Sequence, residues 1–205
     1  MSEAEKTTLE MIHTAAKNEF MEKGFKSASL RNIVKTAGVT TGAFYGYYKS
    51  KEELFDALVG EQYNIFMGKY KETQEAFTHL TPEEQKNGMG VQSGECMDWM
   101  TDYAYDNIEE FKLILCCSEG TKYENMVHEM VEIEINATHE FAKIMESLGT
   151  PSYNIAPQLE HMLVSGMFSA FFEMIIHDVP YEKAKEYVRD LRAFYTAGWQ
   201  KIMGL

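Results

Sequence analysis

TAGVTTGAFYGYYKSKEEL, the stretch Thr36–Leu54, holds the signals that decide the fold. Ala37 and Gly38 end one helical segment, because glycine accepts the left-handed conformation that a helix C-terminus often needs. After a short break, Thr40 supplies a hydroxyl that caps the next helix. That helix runs from Thr41 to about Tyr47. The stretch therefore predicts two short helices joined by a tight turn.

Longer helices flank this pair. Apolar residues at helical spacing predict a first helix that ends at Gly24, and Ser29 is the N-cap of the second. Ser50 and Glu53 form a capping box, in which each side chain accepts a hydrogen bond from the other's backbone N–H. This box opens a long helix over residues 51–76. Two short helices with a glycine-containing turn between longer helices are the outline of a helix-turn-helix.

Charge is distributed unevenly along this acidic chain, which has 19 Lys and Arg against 32 Asp and Glu. Residues 1–60 hold eight basic and eight acidic side chains, whereas residues 61–205 hold eleven and twenty-four. Surface charges more than about 8 Å apart are largely screened at physiological salt, so the acidic remainder need not stop the N-terminal segment from binding a polyanion. Between residues 23 and 51 there is no carboxylate. The basic residues of this window are Lys23, Lys26, Arg31, Lys35, Lys49 and Lys51.

Two glycines in the second short helix also need a reason. Gly42 and Gly46 each cost about 1 kcal/mol relative to alanine in a helix interior. Because glycine has no side chain, the backbone can approach another surface closely, and duplex DNA is such a surface. Tyr45 and Tyr47 add hydroxyl donors beside it. We therefore predict that this helix lies against DNA; the alternative is a solvated basic loop beside a buried aromatic core.

Residues 8–60 resemble the DNA-binding domain of the tetracycline-repressor (TetR) family of bacterial transcription regulators. The resemblance rests on FMEKGF at the end of the first helix and on SLRNIVKTAGVTTGAFYGYYKSKEELFDAL after it. Beyond residue 60 only the helical architecture resembles the family. The positions that agree in order are Gly24, Phe25, Ser29, Ile33, Ala37, Gly38, Val39, Gly42, Phe44, Tyr45, Tyr48, Lys51, Glu52 and Leu54.

The resemblance implies a homodimer whose two recognition helices enter successive major grooves of palindromic operator DNA. By the family's pattern, Ser29 and Lys51 hold phosphates, and Arg31 reaches a base edge or a phosphate. The chain departs from the pattern at Thr41, where a lysine is frequent, and at Gly46, where a large residue is frequent. Because of these departures, the operator sequence cannot be inferred from the family pattern. The predicted DNA-binding residues are Ser29, Arg31, Thr40, Thr41, Gly42, Ala43, Tyr45, Tyr47, Lys49 and Lys51.

The remaining sequence predicts further helices and shows no alternating strand pattern, so we expect an all-α chain of about nine helices. Residues 1–50 form a three-helix helix-turn-helix domain, and residues 51–205 form a larger helical bundle for ligand binding and dimerisation. The helix over residues 51–76 is expected to be the only covalent connection between them.

The last two helices carry small and aromatic residues that suit half of an intermolecular four-helix bundle, as the resemblance implies. Ordinary packing within one subunit is the alternative. The predicted dimer-interface residues are Gly166, Ser169, Ala170, Phe194 and Trp199.

A cluster of aromatic and methionine side chains predicts a ligand pocket in the larger domain, where the family usually has one. Such side chains adapt to varied apolar molecules, although a stripe of them is more often plain core. Glu119, Glu124 and Glu132 would favour a cationic or hydrogen-bonding ligand if one of them faces inward. The predicted ligand-binding residues are Trp99, Tyr103, Glu119, Met126 and Met130.

Other kinds of site have weaker support. His128, Glu132 and His139 fall near one helical face, but two turns separate the outer pair, so we predict no metal site. The adjacent Cys116 and Cys117 indicate small buried residues rather than a thiol sensor. The sequence has no phosphate-binding glycine loop and no recognisable nucleophile–base pair, so we predict neither an enzyme nor a cofactor.

The odd cysteine count, the polar start MSEAEKTTLE and the shortness of the uncharged apolar runs predict a soluble cytoplasmic protein without a membrane partner. We expect a repressor that an unknown small-molecule effector releases from double-stranded operator DNA. The alternative is a DNA-bound architectural or adaptor protein that signals through a protein partner. A filled C-terminal core without a cavity would favour that alternative.

Overall fold

The computed structural model describes residues 3–88, 91–150 and 154–204. Within these ranges the chain forms ten α-helices and no strand, which confirms the all-α prediction. That is one helix more than the nine expected. The helices are α1 (Glu3–Ser27), α2 (Leu30–Thr36), α3 (Thr41–Tyr45), α4 (Lys51–Thr78), α5 (Pro82–Gly88), α6 (Val91–Asp106), α7 (Ile108–Cys117), α8 (Met126–Ser147), α9 (Pro157–Ile176) and α10 (Tyr181–Met203).

The chain divides into two compact units. Unit 1 comprises Met1–Ile65 and Asn107–Glu124, and unit 2 comprises Phe66–Asp106 and Asn125–Leu205. The chain therefore passes between the units three times: within α4, before α7 and after α7. The expectation that the helix beginning at residue 51 is the only covalent connection is wrong, because α7 belongs to unit 1. The division of function at residue 50 stays a prediction.

The core of unit 1 is largely aromatic. The rings of Phe20, Phe25 and Phe55 meet in tilted and edge-to-face pairs, with centroids 5.1 to 5.8 Å apart. This is the separation and orientation that aromatic pairs prefer. The cluster fixes the end of α1 against the first turns of α4. Further fully buried residues of this unit are Ile12, Ile33, Phe44, Leu54 and Phe111.

Lys51 ties the start of α4 to the turn between α1 and α2. Gly24 has φ +70°, which interrupts the helical path of α1 before its last residues. The Lys51 ammonium donates to the carbonyl oxygens of Phe25 at 2.6 Å and Ala28 at 3.0 Å. It also lies 4.5 Å from the centroid of the Phe25 ring. Charge-assisted hydrogen bonds and a cation–π contact therefore hold these two segments together.

The capping box at the start of α4 differs in one detail from the prediction. The Glu53 N–H donates to Ser50 Oγ at 3.1 Å, as expected. The Glu53 carboxylate, however, accepts a hydrogen bond from the Lys49 N–H at 2.7 Å rather than from that of Ser50. The reciprocal contact thus reaches one residue further back along the chain.

Helix α7 packs on α1 inside unit 1. Lys17 of α1 donates to Glu109 at 2.9 Å and to Glu110 at 2.6 Å. At the other end of α7, the sulfur of Cys117 lies 3.9 Å from that of Met21. Ionic and apolar contacts therefore join two helices that are about ninety residues apart in sequence.

The segment after α7 is fastened to α4. Asp56 accepts a hydrogen bond from the Tyr123 hydroxyl and forms an ion pair with Lys122 at 2.5 Å. Gly60, one turn further along α4, gives the tyrosine room, because a Cβ there would lie 2.9 Å from the Tyr123 hydroxyl oxygen. Helix α8 begins at Met126, three residues after Tyr123.

Helix α9 is the central apolar element of unit 2. By length and composition it could cross a membrane, but seven of its residues are buried in the fold. Phe168 meets Tyr70 of α4 edge-on at 5.8 Å, and Phe172 meets Phe66 at 6.1 Å. These contacts identify α9 as a core helix.

Replacing Lys51 tests its structural role. In Lys51→Met the apolar stem remains but the carbonyl oxygens lose their charged donor. We expect the free energy of unfolding to fall by about 2 kcal/mol, because hydrogen bonds to charged groups contribute about 1.5–3 kcal/mol. Urea unfolding followed by circular dichroism measures this change.

Lys49→Met is the matched control, since the Lys49 side chain is exposed. We expect it to change the free energy of unfolding by less than about 0.5 kcal/mol. Equal losses in the two variants would contradict the structural role of Lys51.

Candidate functional site

Most of the predicted DNA-binding residues are accessible. They come from α2, from α3, which packs on α2, and from the short connections before and after them. Ser29, Tyr47 and Lys51 are partly buried. The exposed residues are Arg31, Thr40, Thr41, Gly42, Ala43, Tyr45 and Lys49.

Helix α3 is shorter than the sequence predicts. Thr40 is its N-cap, as expected, and the threonine hydroxyl accepts a hydrogen bond from the Ala43 N–H at 3.1 Å. The α-helix ends at Tyr45, and the chain continues as a turn in which the Tyr47 N–H donates to the Phe44 carbonyl at 2.9 Å. Tyr47 therefore follows the helix instead of forming its last turn.

The two glycines near α3 have different structural reasons. A Cβ at Gly46 would lie 3.1 Å from the Ala43 carbonyl oxygen, which is tighter than most such contacts. A Cβ at Gly42 would meet only the Thr40 hydroxyl, at an ordinary 3.9 Å. Packing within the chain thus explains Gly46 but leaves Gly42 unexplained. Close approach of another molecule remains a reason for glycine at position 42.

The end of this motif is anchored to α1. The Tyr48 ring is buried, and its hydroxyl is 2.5 Å from His13 Nε2. Burial, together with the nearby Lys17 charge, lowers the pKa of His13, so the imidazole is neutral at pH 7. Phe44 packs beside Tyr48 with centroids 5.9 Å apart. These contacts hold the buried side of α3 while Tyr45 points outward, 54% exposed.

A carboxylate reaches the N-terminus of α2. Oε1 of Glu19 accepts hydrogen bonds from the Ser29 N–H at 3.0 Å and the Asn32 side-chain amide at 3.4 Å. The Ser29 N–H is the main cause that lowers the pKa of Glu19, with smaller contributions from Lys23 and Asn32. The Ser29 N–H is therefore already bonded within the chain. The sequence window missed Glu19 because it lies ten residues before Ser29.

Basic side chains in and beside the helix-turn-helix differ in their partners. On α1, Lys17, Lys23 and Lys26 each pair with a glutamate. Those on α2 and on the connection to α4 keep their charge exposed. In the described part of the chain, the basic residues of these two segments that form no ion pair are Arg31, Lys35 and Lys49.

Residues 12–58 match the family model described as bacterial regulatory proteins, tetR family. This segment of the chain is therefore similar to that family. The matched segment contains the whole of α2 and α3, so the TetR-family resemblance seen in the sequence is confirmed, and with it the helix-turn-helix.

Two relatives show how far the likeness extends in sequence. The chain is 49% identical over 45 residues to YdgC, an uncharacterized HTH-type transcriptional regulator of Bacillus subtilis. These residues make up 22% of this chain and 23% of that protein. The chain is also 38% identical over 53 residues to BepR, an HTH-type transcriptional repressor of Brucella suis. These residues make up 26% of this chain and 25% of that protein. The chain therefore spans about a quarter of the length of the curated relatives it matches.

Solved structures extend the likeness to the whole fold. A TetR-family regulator from Streptomyces coelicolor matches with a TM-score of 0.55 and 16% identity, over 94% of this chain and 89% of that one. A TetR-like regulator from Rhodococcus sp. RHA1 matches with a TM-score of 0.54 and 16% identity, over 97% of both chains. At this level of identity, the likeness shows the fold alone.

Unit 2 contains a cavity of about 160 Å³ between α4, α6, α8, α9 and α10. Within the described residues, none of the five predicted ligand-binding residues lines it. Trp99 stacks on Tyr103 with centroids 5.0 Å apart, whereas Met126 and Met130 are buried elsewhere. Glu119 is exposed in unit 1 and pairs with Lys26 at 2.9 Å. Ligand contact by these residues stays a prediction.

The acid that does line the cavity is Glu134 of α8. It lies at helical spacing between the buried Met130 and Phe141, so a charged residue interrupts the apolar face of this helix. That interruption is the signal from which the sequence could have identified it.

The predicted dimer-interface residues divide between the surface and the interior. Phe194 is 73% exposed, and Ser169 is also exposed. Gly166 and Ala170 are partly buried, and a Cβ at Gly166 would lie 3.0 Å from the Tyr195 hydroxyl oxygen of the same subunit. Trp199 packs inward against a cluster formed by Phe141, Met145 and Met203. An intermolecular role for these five residues stays a prediction.

The histidines and cysteines singled out in the sequence are placed as follows. His139 lies 2.8 Å from the buried Glu160 of α9, and Glu132 lies 3.9 Å from His161. Across the described ranges, no group of three or more His, Cys, Asp or Glu residues is placed to hold a metal ion. Burial raises the pKa of the Cys117 thiol to about 11, which disfavours the reactive thiolate.

The Glu19 contact predicts a pH effect on stability. Because the folded-state pKa of Glu19 is lowered, its contribution to stability is complete above the ordinary glutamate pKa of about 4.3 and is lost as pH falls through the folded-state value. We expect the urea midpoint of Glu19→Gln to fall less between pH 6 and pH 3 than that of the parent chain.

Glu22→Gln provides the matched control, because Glu22 is an exposed residue of the same helix. It should keep the acid sensitivity of the parent chain. If the urea midpoint of both variants fell equally little between pH 6 and pH 3, the contact with Ser29 would not be the cause of the acid sensitivity.

Proposed function

We propose that this chain is a one-component transcriptional regulator of the cytoplasm, a repressor that binds palindromic operator DNA as a homodimer. A small molecule bound in unit 2 releases it from the DNA. The Brucella suis relative is named a transcriptional repressor, which supports repression rather than activation. The family match supports a regulator rather than an enzyme.

The observation that carries the proposal is the set of exposed cations without acidic partners around the helix-turn-helix. Phosphate binding by lysine and arginine supplies most of the non-specific affinity for DNA. Arg31 and Lys35 lie on α2, and Lys49 lies on the connection from α3 to α4. Between them, Thr41 and Gly42 are exposed at the start of α3. Three exposed cations without acidic partners beside the start of α3 make a surface suited to a polyanionic duplex.

Salt dependence of DNA binding tests this surface. Arg31→Ala and Lys35→Ala should each make the plot of log K against log salt concentration shallower by about one unit, because each removed phosphate contact releases about one counterion fewer. Fluorescence anisotropy with a labelled duplex from the region upstream of its own coding sequence measures the slope.

Lys69→Ala, in the part of α4 that belongs to unit 2, is the control and should leave the slope unchanged. Parent protein without any salt-sensitive affinity for such duplexes would contradict operator binding. An equal decrease in slope for the control would contradict the assignment to α2.

Exposed apolar residues on α9 and α10 support the homodimer. Met162 is 67% exposed and Phe194 is 73% exposed, in a chain whose other large apolar residues are mostly buried. Exposed apolar patches of this kind mark interaction surfaces. Tyr187 and Leu159 are further exposed residues on the same two helices, so the patch extends along both. The occupant we propose is a second copy of the chain.

Charge placed on these helices should separate the dimer. We expect the double variant Met162→Asp with Phe194→Asp to be a monomer at micromolar concentration, because an unpaired buried carboxylate strongly opposes association. Light scattering measures the mass. Met11→Asp, at a comparably exposed position on α1, should remain dimeric. A monomeric parent chain would refute the homodimer.

Helix α4 connects the proposed ligand site with the proposed DNA contact. Its 28 residues correspond to a length of about 42 Å, and its first and last parts belong to different units. Half-sites of an operator lie about 34–36 Å apart, so a small displacement of the recognition helices costs contacts. The cavity in unit 2 favours this ligand-responsive mechanism over an adaptor that signals through a protein partner.

A further inference from the structure

One oxygen of a carboxylate in the unit 2 cavity lacks a hydrogen-bond donor. Oε2 of Glu134 accepts hydrogen bonds from the Tyr70 hydroxyl and from the Gln74 side-chain amide, both at 2.7 Å. Oε1 of Glu134 has no donor among the residues that the structure describes. Glu134 is partly buried, and a ligand that shields Oε1 from water would have to donate to it, because an unsatisfied polar atom costs about 1–3 kcal/mol. A molecule in the cavity can supply the missing donor.

The rest of the cavity wall is mainly apolar. Aromatic rings approach from four helices, and methionine side chains fill the spaces between them. Such a wall contributes contact area for an apolar body, and aromatic faces also attract cations. The aromatic residues that line the cavity include Phe77, Phe141, Phe168, Tyr195 and Trp199.

The charge balance of the cavity favours a cation. The only other charged residue in its described lining is Arg192. Arg192 Nη1 donates to Asp98 Oδ2 at 2.9 Å, so its charge is already compensated. Glu134 is left without a cationic partner. A carboxylate ligand would be repelled by it, whereas an ammonium group would donate to Oε1 and neutralise the charge. Burial raises the pKa of Glu134, and a cation beside it would offset that effect.

The volume restricts the size of the ligand. At about 160 Å³, the cavity is far below the roughly 300–1,000 Å³ of pockets for drug-sized molecules. It is similar to a cavity of about 150 Å³ that accepts benzene in another protein. One ring with a short chain therefore fills it.

We propose that the effector is a small aromatic amine, bound as its ammonium ion with Glu134 as the counter-ion and the ring among the aromatic side chains. The proposal rests on the ligand-responsive function proposed above and specifies the chemistry of its site. Tyr70 and Gln74 are positioning residues, because they hold Oε2 and thereby direct Oε1 to the ligand.

Three probes of the same shape and different charge test the ligand class. We expect isothermal titration of the full chain to show that 2-phenylethylamine binds at least about 10-fold more tightly than 2-phenylethanol, and that 3-phenylpropionate binds least. In Glu134→Gln the affinity for the amine should fall about 30-fold or more, because the loss of a buried charge partner costs at least about 2 kcal/mol. The affinity for the alcohol should change less than about 3-fold.

Two further variants locate the effect. Glu132→Gln, at an exposed position on the same helix, should bind the amine like the parent chain. Ala137→Leu, which extends a lining side chain into the cavity, should weaken binding of the amine and the alcohol together. Thermal unfolding confirms that each variant is folded.

Equal affinity for the three probes, no binding of the amine, or amine binding that Glu134→Gln leaves unchanged would each overturn the proposal. These titrations contain no DNA, so their outcome is independent of operator binding. A chain that binds the amine but no duplex would contradict the proposed function and leave the ligand class standing.

Discussion

The ammonium group of Lys51 fixes where α4 begins, and the position of α3 depends on it. Only residues 46–50 connect the two helices, so a start of α4 that is held in place leaves α3 little freedom. The carbonyl oxygens of Phe25 and Ala28 bind the ammonium, and the Phe55 ring packs one turn later on the cluster at the end of α1. These contacts therefore hold α3 in place with its exposed residues facing outward. The lysine that the family pattern associates with phosphate thus also binds backbone carbonyl groups of its own chain.

The helix-turn-helix could be predicted because its signals are local. Thr40 caps α3, Gly24 has the left-handed conformation expected at a helix end, and the family motif is nearly continuous from residue 24 to 54. The roles of Lys51 and Glu19 could not be predicted, because their partners are backbone atoms. Almost every residue has the same backbone carbonyl and N–H groups, so the sequence does not show which of them a side chain will contact.

The cavity was harder to predict than the helices around it. Periodicity identifies the apolar face of each helix, but five helices contribute to this cavity, from Tyr70 to Met203. Which parts of those faces leave a space depends on how the helices cross. Met100 and Phe141 line the cavity, whereas the predicted ligand-binding residues Met126 and Met130 belong to the packed core. Glu134 had a visible signal, a charge within an apolar stripe.

The membership of α7 in unit 1 limits how this protein can be rebuilt. The helix is encoded after the whole of α6, yet Lys17 pairs with it and Asp56 binds the residues that follow it. A fragment cut at residue 65 would lack one wall of its own core, including the fully buried Phe111 and Leu113. Replacing unit 1 with the corresponding part of another protein would likewise require exchange of both of its sequence segments. Unit 1 is therefore not a fragment that can be separated from the chain by one cut.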